Sequence, residues 1–220
     1  MIPISSNKRS GQDREFPSTQ AALKRMAPAP TTAAVESNAR KTGGNDGTKY
    51  PDTATVNGPV DPPSSRYRTY QQRGLLSVSI PENWQQFDDD SSVTFAPNGA
   101  FGNMQGQSVF THGAIVGAAD TRTTDLTVVS DQYVAGILKG NAYLQAQGSS
   151  QRTQLGGRTA LLRRLTGKSP VTNQKEVVDV YTAFSNRNQF VYMVHVAPGN
   201  ALAQYRNAFN QMARSFTFLD

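Results

Sequence analysis

Cysteine is absent from the 220 residues. That excludes disulfides, thiol nucleophiles and cysteine-ligated zinc. Histidine is scarce, with only His112 and His195, and Trp84 is the one tryptophan. No run of about 18 apolar residues occurs, so nothing reads as a membrane-spanning helix. The opening "MIPISSNKRSGQDREF" has no apolar h-region of the kind a signal peptide carries. The chain is therefore expected either to be cytosolic or to derive from a longer protein that starts upstream. Apolar residues make up only 37%, so their distribution matters more than their total.

They are distributed unevenly. Residues 1–66 are rich in Ser, Thr, Ala, Pro, Asn and Gly and contain no tryptophan. Such a segment buries too little surface to offset chain entropy. It is expected to be a disordered tether, with a short helix near 18–26 capped by Ser18 and stopped by Pro28 and Pro30. Residues 67–220 carry Trp84 and nearly all the aromatics, enough for one core. Net charge is +6, with nine basic and six acidic residues in 1–66 and thirteen against ten in 67–220. The excess reads as spread, its densest point being Arg163-Arg164. A nucleic-acid binder would carry a basic stripe or a known motif, and neither is seen, so no nucleic-acid partner is expected.

Periodicity sets the fold class. "RYRTYQQRGLLSVSIPENW" reads as two strands joined around Gln72-Arg73-Gly74, with Trp84 anchoring the turn that follows. "SSVTFAP" and "SVFTHGAIVGAA" read as further strands. In "TTDLTVVSDQYVAGILKGN" the period becomes helical, with Leu126, Val129, Tyr133 and Ile137 in one stripe, Thr124 or Asp125 as cap and Gly140-Asn141 as stop. Three strands follow, one of them broken at Gly156-Gly157, and Asn186-Arg187-Asn188 favours a hairpin. A last helix is expected over about 201–215, capped by Asn200, with Leu202, Tyr205, Phe209 and Met212 on its apolar face. Phe216 and Phe218 alternate as a short terminal strand. Hairpin-linked strands imply an antiparallel sheet. The run 190–198 is apolar on both sides, so both must be covered. The expected architecture is an α+β sandwich over 67–220.

Catalytic patterns find no support. The His-Glu-x-x-His pair of zinc proteases is absent, and so is a Gly-x-Ser-x-Gly elbow. Gly156-Gly157 leads to a strand without Lys-Ser/Thr, which is a hairpin or bulge rather than a phosphate loop. Asp88, Asp89 and Asp90 lack calcium-loop spacing and read as a solvated turn. His112 and His195 read as packing. One metal constellation stays open: the two histidines meeting across a sheet, with Asp179 as the third member because it reads as the sole acidic residue inside a strand. Trp84, Tyr133, Tyr192 and Phe209 would line a groove for a small molecule if the sandwich holds one. No cofactor is expected.

"YRTYQQRGLLSVSIPENWQQF…VTFAPNGAF" resembles the opening of a PsbP/Mog-type α/β/α sandwich, where an apolar strand leads to Pro-x-x-Trp and a short strand enters Ala-Pro-x-Gly. More narrowly, residues 65–218 resemble the C-terminal domain attached to HtpX-like bacterial zinc metallopeptidases. "SIPENW", "FAPNGAF", "GAIVG", "DLTVVSDQYVAGIL" and "YMVHVAPGNALAQYRNAFNQMARSFTF" carry the likeness. It implies a cell-envelope or periplasmic setting, although the peptidase domain that would hold the zinc and the membrane helices is missing here. A good core without a catalytic set leads to the expectation of a non-catalytic accessory or protein-binding module, with a peptidase, or its remnant, or another envelope protein as partner. A small-molecule or metal-binding domain is the alternative.

Overall fold

The computed structural model describes residues 59–89, 91–104 and 107–220. The expected helix near 18–26, most of the expected tether, and Asp90 lie outside the described residues. Residues 59–66 form no regular element but sit against the domain: Val60 packs on the core, and the Asp61 carbonyl accepts from the Tyr205 hydroxyl at 3.2 Å.

Among the described residues, twelve strands and two helices follow. The strands are β1 (Tyr67–Gln72), β2 (Leu76–Pro81), β3 (Gln85–Asp88), β4 (Ser92–Ala96), β5 (Phe101–Met104), β6 (Gln107–Phe110) and β7 (Gly113–Ala119). After helix α1 (Leu126–Gly140) come β8 (Leu144–Leu155), β9 (Arg158–Lys168), β10 (Lys175–Phe184) and β11 (Phe190–Pro198). Helix α2 (Leu202–Ser215) and β12 (Thr217–Phe218) close the chain. A seven-stranded sheet in the order β3-β4-β7-β11-β10-β9-β8 forms the central layer. A three-stranded sheet, β1-β2-β12, and a two-stranded β5-β6 hairpin accompany it. Every pair is antiparallel. The fold is an α+β sandwich with its helices packed on antiparallel sheet.

Both sides of the central sheet are apolar because β11 alternates two apolar sets. Val191, Met193 and Ala197 face a core built from β2, Trp84 and the Tyr205, Phe209 and Met212 stripe of α2. Phe190, Tyr192, Val194 and Val196 face the other core, under Val129, Tyr133, Val134 and Ile137 of α1. All nine residues of β11 are buried.

Asp125 caps α1 by accepting from the backbone of Thr127 and Val128 at 2.9 and 3.2 Å. Asn141 ends it, its amide donating to the Ile137 carbonyl at 2.9 Å. The β8–β9 turn is Gly156-Gly157, both with positive φ (57° and 76°), the geometry of a two-residue type I′ hairpin. Phe184 pairs with Phe190 across the Asn186–Asn188 loop.

Three expectations change. "SVFTHGAIVGAA" is two strands, not one, because the chain breaks at Thr111-His112. Gly113 has φ +136°, and a side chain there would strike the Phe95 carbonyl. The break reverses the alternation, so Phe110 joins the α1-side core with Ile115. Strands β3 and β5 escaped the period-2 reading, being four residues each. Asn200 does not cap α2: the N-cap is Ala201 in helical conformation, with no side-chain cap bond.

Candidate functional site

The residues proposed from sequence as metal ligands fall on the α2 side of the central sheet, where the strands align one row. Gln147 of β8, Arg164 of β9, Asp179 of β10, His195 of β11 and Ala114 of β7 are successive cross-strand partners. Asp179 and His195 are therefore direct neighbours. Asp179 gives both oxygens to Arg164, accepting from Nε and Nη2 at 2.7 Å each. His195 is 2% exposed and lies flat on Phe209, with ring centroids 4.4 Å apart and planes 7° apart. Its Nε2 has no hydrogen-bond partner. Burial drives the imidazole down to about 4, with the Asp179 charge pulling the other way.

His112 does not join them. It sits in the β6–β7 break, its Nδ1 2.9 Å from the Thr111 hydroxyl and its ring 5.2 Å from that of Tyr205. Burial lowers it also, to about 4. Tyr205 packs on Phe209 at 5.8 Å, so two aromatic rings stand between the histidines. Among the described residues no group of three or more His, Asp or Glu is placed to hold a metal ion.

The four groove residues divide between the two cores. Trp84 and Phe209 meet edge to face at 6.3 Å on the α2 side. Tyr133 and Tyr192 stack at 4.6 Å on the α1 side. The central sheet separates the pairs, and all four rings pack into core. Asp88, expected in a solvated turn, is instead the last residue of β3; it is exposed and accepts from the Gln86 amide at 2.8 and 3.1 Å.

Sequence reasoning missed a different site. Glu176 lies inside β10 and is 2% exposed, so Asp179 is not the sole acidic residue within a strand. Glu176 lines a small cavity between α1 and the sheet, together with Asn141. The remaining walls are aliphatic and aromatic: Phe110, Ile115, Ile137, Leu144, Val178, Val194 and Val196. The cavity volume is about 20 Å³, enough for one water molecule. The Tyr143 hydroxyl donates to Glu176 at 2.8 Å. Burial pushes the carboxyl up to about 7, while hydrogen bonds from Tyr143 and Ser169 hold it down. Asn141, 2% exposed, spends its amide on α1 and leaves Oδ1 without a donor. Gly167 allows this end to close, because a Cβ there would lie 2.7 Å from the Tyr143 carbonyl carbon. The one available signal was the position of Glu176 in the run "KEVVDV", where alternation puts it on the face of Val178 and Val180.

The outer edge has the opposite character. β8 is terminal in the sheet order, and seven of its twelve residues are exposed. Its pairing with β9 shifts register between Gln147 and Gln151, with Gly148 at φ +64°. The wing from Asn141 to Gln189 holds seven Lys and Arg against two acidic residues. Of those two, Glu176 is buried and Asp179 is held by Arg164. The basic excess that reads as spread along the chain is concentrated in this continuous stretch, which forms β8, β9 and β10.

Among the described residues no helix is long and apolar enough to cross a membrane. No family model matches the chain, and no curated protein matches it. Among solved structures, it is similar to LpqN, involved in cell envelope biogenesis of Mycobacterium tuberculosis, at 14% identity over 70% of this chain and 90% of that one, with a TM-score of 0.43. It is similar to cyanobacterial PsbP (CyanoP) from Synechocystis sp. PCC 6803 at 14% identity over 69% and 92%, with a TM-score of 0.46. A Pseudomonas aeruginosa protein, PA94, is similar at 14% identity over 67% and 93%, with a TM-score of 0.37.

Proposed function

We propose that this chain is a non-catalytic accessory module that docks a protein partner, with residues 67–220 and the packed segment 59–66 as the docking domain and the residues before 59 as its tether. One observation carries the reading. The central sheet is sealed on both faces at β11 and open at β8, with nine of nine residues buried in the one and seven of twelve exposed in the other. Side chains suited to chemistry lie in the sealed part. Backbone groups that another chain can pair with lie at the open edge. A cell-envelope metallopeptidase, or what remains of one, is the partner suggested by the resemblance of residues 65–218.

The test is site-specific photocrosslinking of the full chain in the cells that make it. Crosslinkers go at three exposed positions: Gln154 in β8, Asp131 in α1 and Gln204 in α2. A discrete, reproducible protein adduct from any of them supports docking, and a peptidase in that adduct supports the finer assignment. No adduct from any position overturns the reading. So does a turnover activity that is lost in Glu176→Gln or His195→Leu.

A further inference from the structure

We propose that β8 receives an acidic, extended segment of the partner as an added strand, fastened by Arg152 and Arg163. The proposal rests on the docking reading and names the chemistry of what docks.

The geometry comes first. An edge strand presents unpaired N–H and C=O groups, and sheet proteins usually blunt such edges with proline, charge, bulges or shortness. β8 is twelve residues long, has no proline, and carries Arg152 as its one charge. Its single interruption is the register shift between Gln147 and Gln151. Beyond it, Gln151–Leu155 pairs regularly with β9 on its inner side. That leaves a five-residue ladder open on the outer side, a length suited to strand addition.

Charge then selects the occupant. Arg152 pairs with Leu161, two residues from Arg163 along β9. Arg152 and Arg163 therefore share the α1-side face as diagonal neighbours, within reach of each other's side-chain partners. Arg163 makes no ion pair among the described residues, and its Nε is buried without an acceptor. A carboxylate on the added strand would pair with the terminal nitrogens of this guanidinium, which are not among the buried unpaired atoms, and a guanidinium takes carboxylate oxygens in matched geometry. On the opposite face Arg164 is already taken by Asp179. A second copy of this chain fits poorly, because pairing β8 with β8 brings two basic wings together. A nucleic acid fits poorly as well: no aromatic lies in β8 or β9 for a base to stack on.

The test uses the full chain and three capped nine-residue peptides. One alternates Glu and Val, one replaces each Glu by Lys, and the third is the Glu-Val peptide methylated on alternate backbone nitrogens. Affinity is read by titration calorimetry and location by amide hydrogen exchange. The Glu-Val peptide is expected to bind and to slow exchange in 151–155. The Lys and N-methyl peptides are expected to bind at least tenfold more weakly. Arg152→Glu, at an exposed position, is expected to cost at least tenfold, and Arg163→Gln a similar factor with the fold checked by circular dichroism. Binding without β8 protection, equal affinity for Glu and Lys peptides, retained affinity of the N-methyl peptide, or no binding overturns the proposal. Tighter binding of a single-stranded oligonucleotide than of the Glu-Val peptide also overturns it. These failures are separable from failure of the docking reading, since a cellular adduct at α1 or α2 leaves docking standing and removes β8 from it.

Discussion

Asp179 and His195 are direct cross-strand partners in β10 and β11, yet only the carboxylate has a polar partner. Both of its oxygens go to Arg164, while His195 lies against Phe209 with Nε2 unpaired. The pair has the composition of half a catalytic relay and the environment of packing. Arg164 keeps the carboxylate engaged, and burial keeps the imidazole neutral at ordinary pH.

Arg164→Met removes the guanidinium that balances Asp179. The carboxylate then acts on His195 without opposition, so the imidazole pKa rises above its value of about 4. Asp179→Asn moves it the other way. Histidine ring proton shifts followed by NMR across pH 3–8 read both. The stability cost of Arg164→Met at pH 7 is about 1 kcal/mol, because the arginine side chain is half exposed. An imidazole pKa that ignores both changes would show that Asp179 has no electrostatic hold on the ring.

Both histidines make the domain acid-sensitive. Their folded values of about 4 lie below the usual 6.5, so the unfolded chain binds more protons between those limits. The associated stability is full above pH 6.5 and is lost as pH falls toward 4. The full loss for His195 is roughly 3 kcal/mol, at 1.36 kcal/mol per pKa unit. His195→Leu should change stability at pH 7 by less than about 1.5 kcal/mol and should flatten the acid limb. Urea unfolding at pH 7 and pH 4.5 measures both.

Glu176 acts in the opposite direction. Its folded value of about 7 exceeds the usual 4.5, so the folded chain binds more protons in between. Its contribution is full below pH 4.5, declines as pH rises through 7, and is level above that. Glu176→Gln abolishes this dependence. Between pH 4.5 and 8 the wild type should lose about 3 kcal/mol relative to the variant. Parallel stability curves for the two proteins would mean that the carboxyl is hydrated.

Gly117 sits opposite Tyr192 in the β7–β11 pair. A Cβ there would contact the Tyr192 hydroxyl, lie 2.5 Å from Cζ of the same ring, and lie 2.6 Å from the Ser91 carbonyl. Gly117→Ala must therefore displace Tyr192 and its stack on Tyr133. A loss of about 2 kcal/mol is expected, with weakened near-ultraviolet circular dichroism from the tyrosines. An unchanged tyrosine signal would show that the sheet yields instead of the ring.

Local pattern alone specified much of this protein. The stripe from Leu126 to Ile137 announced α1, with Thr124 or Asp125 as its start and Gly140-Asn141 as its end, and the structure takes Asp125 and Asn141. Gly156-Gly157 marked a hairpin or bulge and is the β8–β9 turn, so four strands rather than three separate the helices, and the doubly apolar run 190–198 announced a strand covered on both sides. These signals are legible because backbone period and turn conformation depend on residues a few positions apart. What they could not convey is which distant strands become neighbours. The α1-side burial of Phe110 depends on a break enforced by the close approach of Gly113 to Phe95. The meeting of Asp179 with Arg164 and His195, the enclosure of Glu176 with Asn141, and the placing of Arg152 beside Arg163 all arise from the register in which neighbouring strands pair, which periodicity within one strand does not set. Burial and electrostatics belong to that assembled register, because desolvation and charge act through space rather than along the sequence.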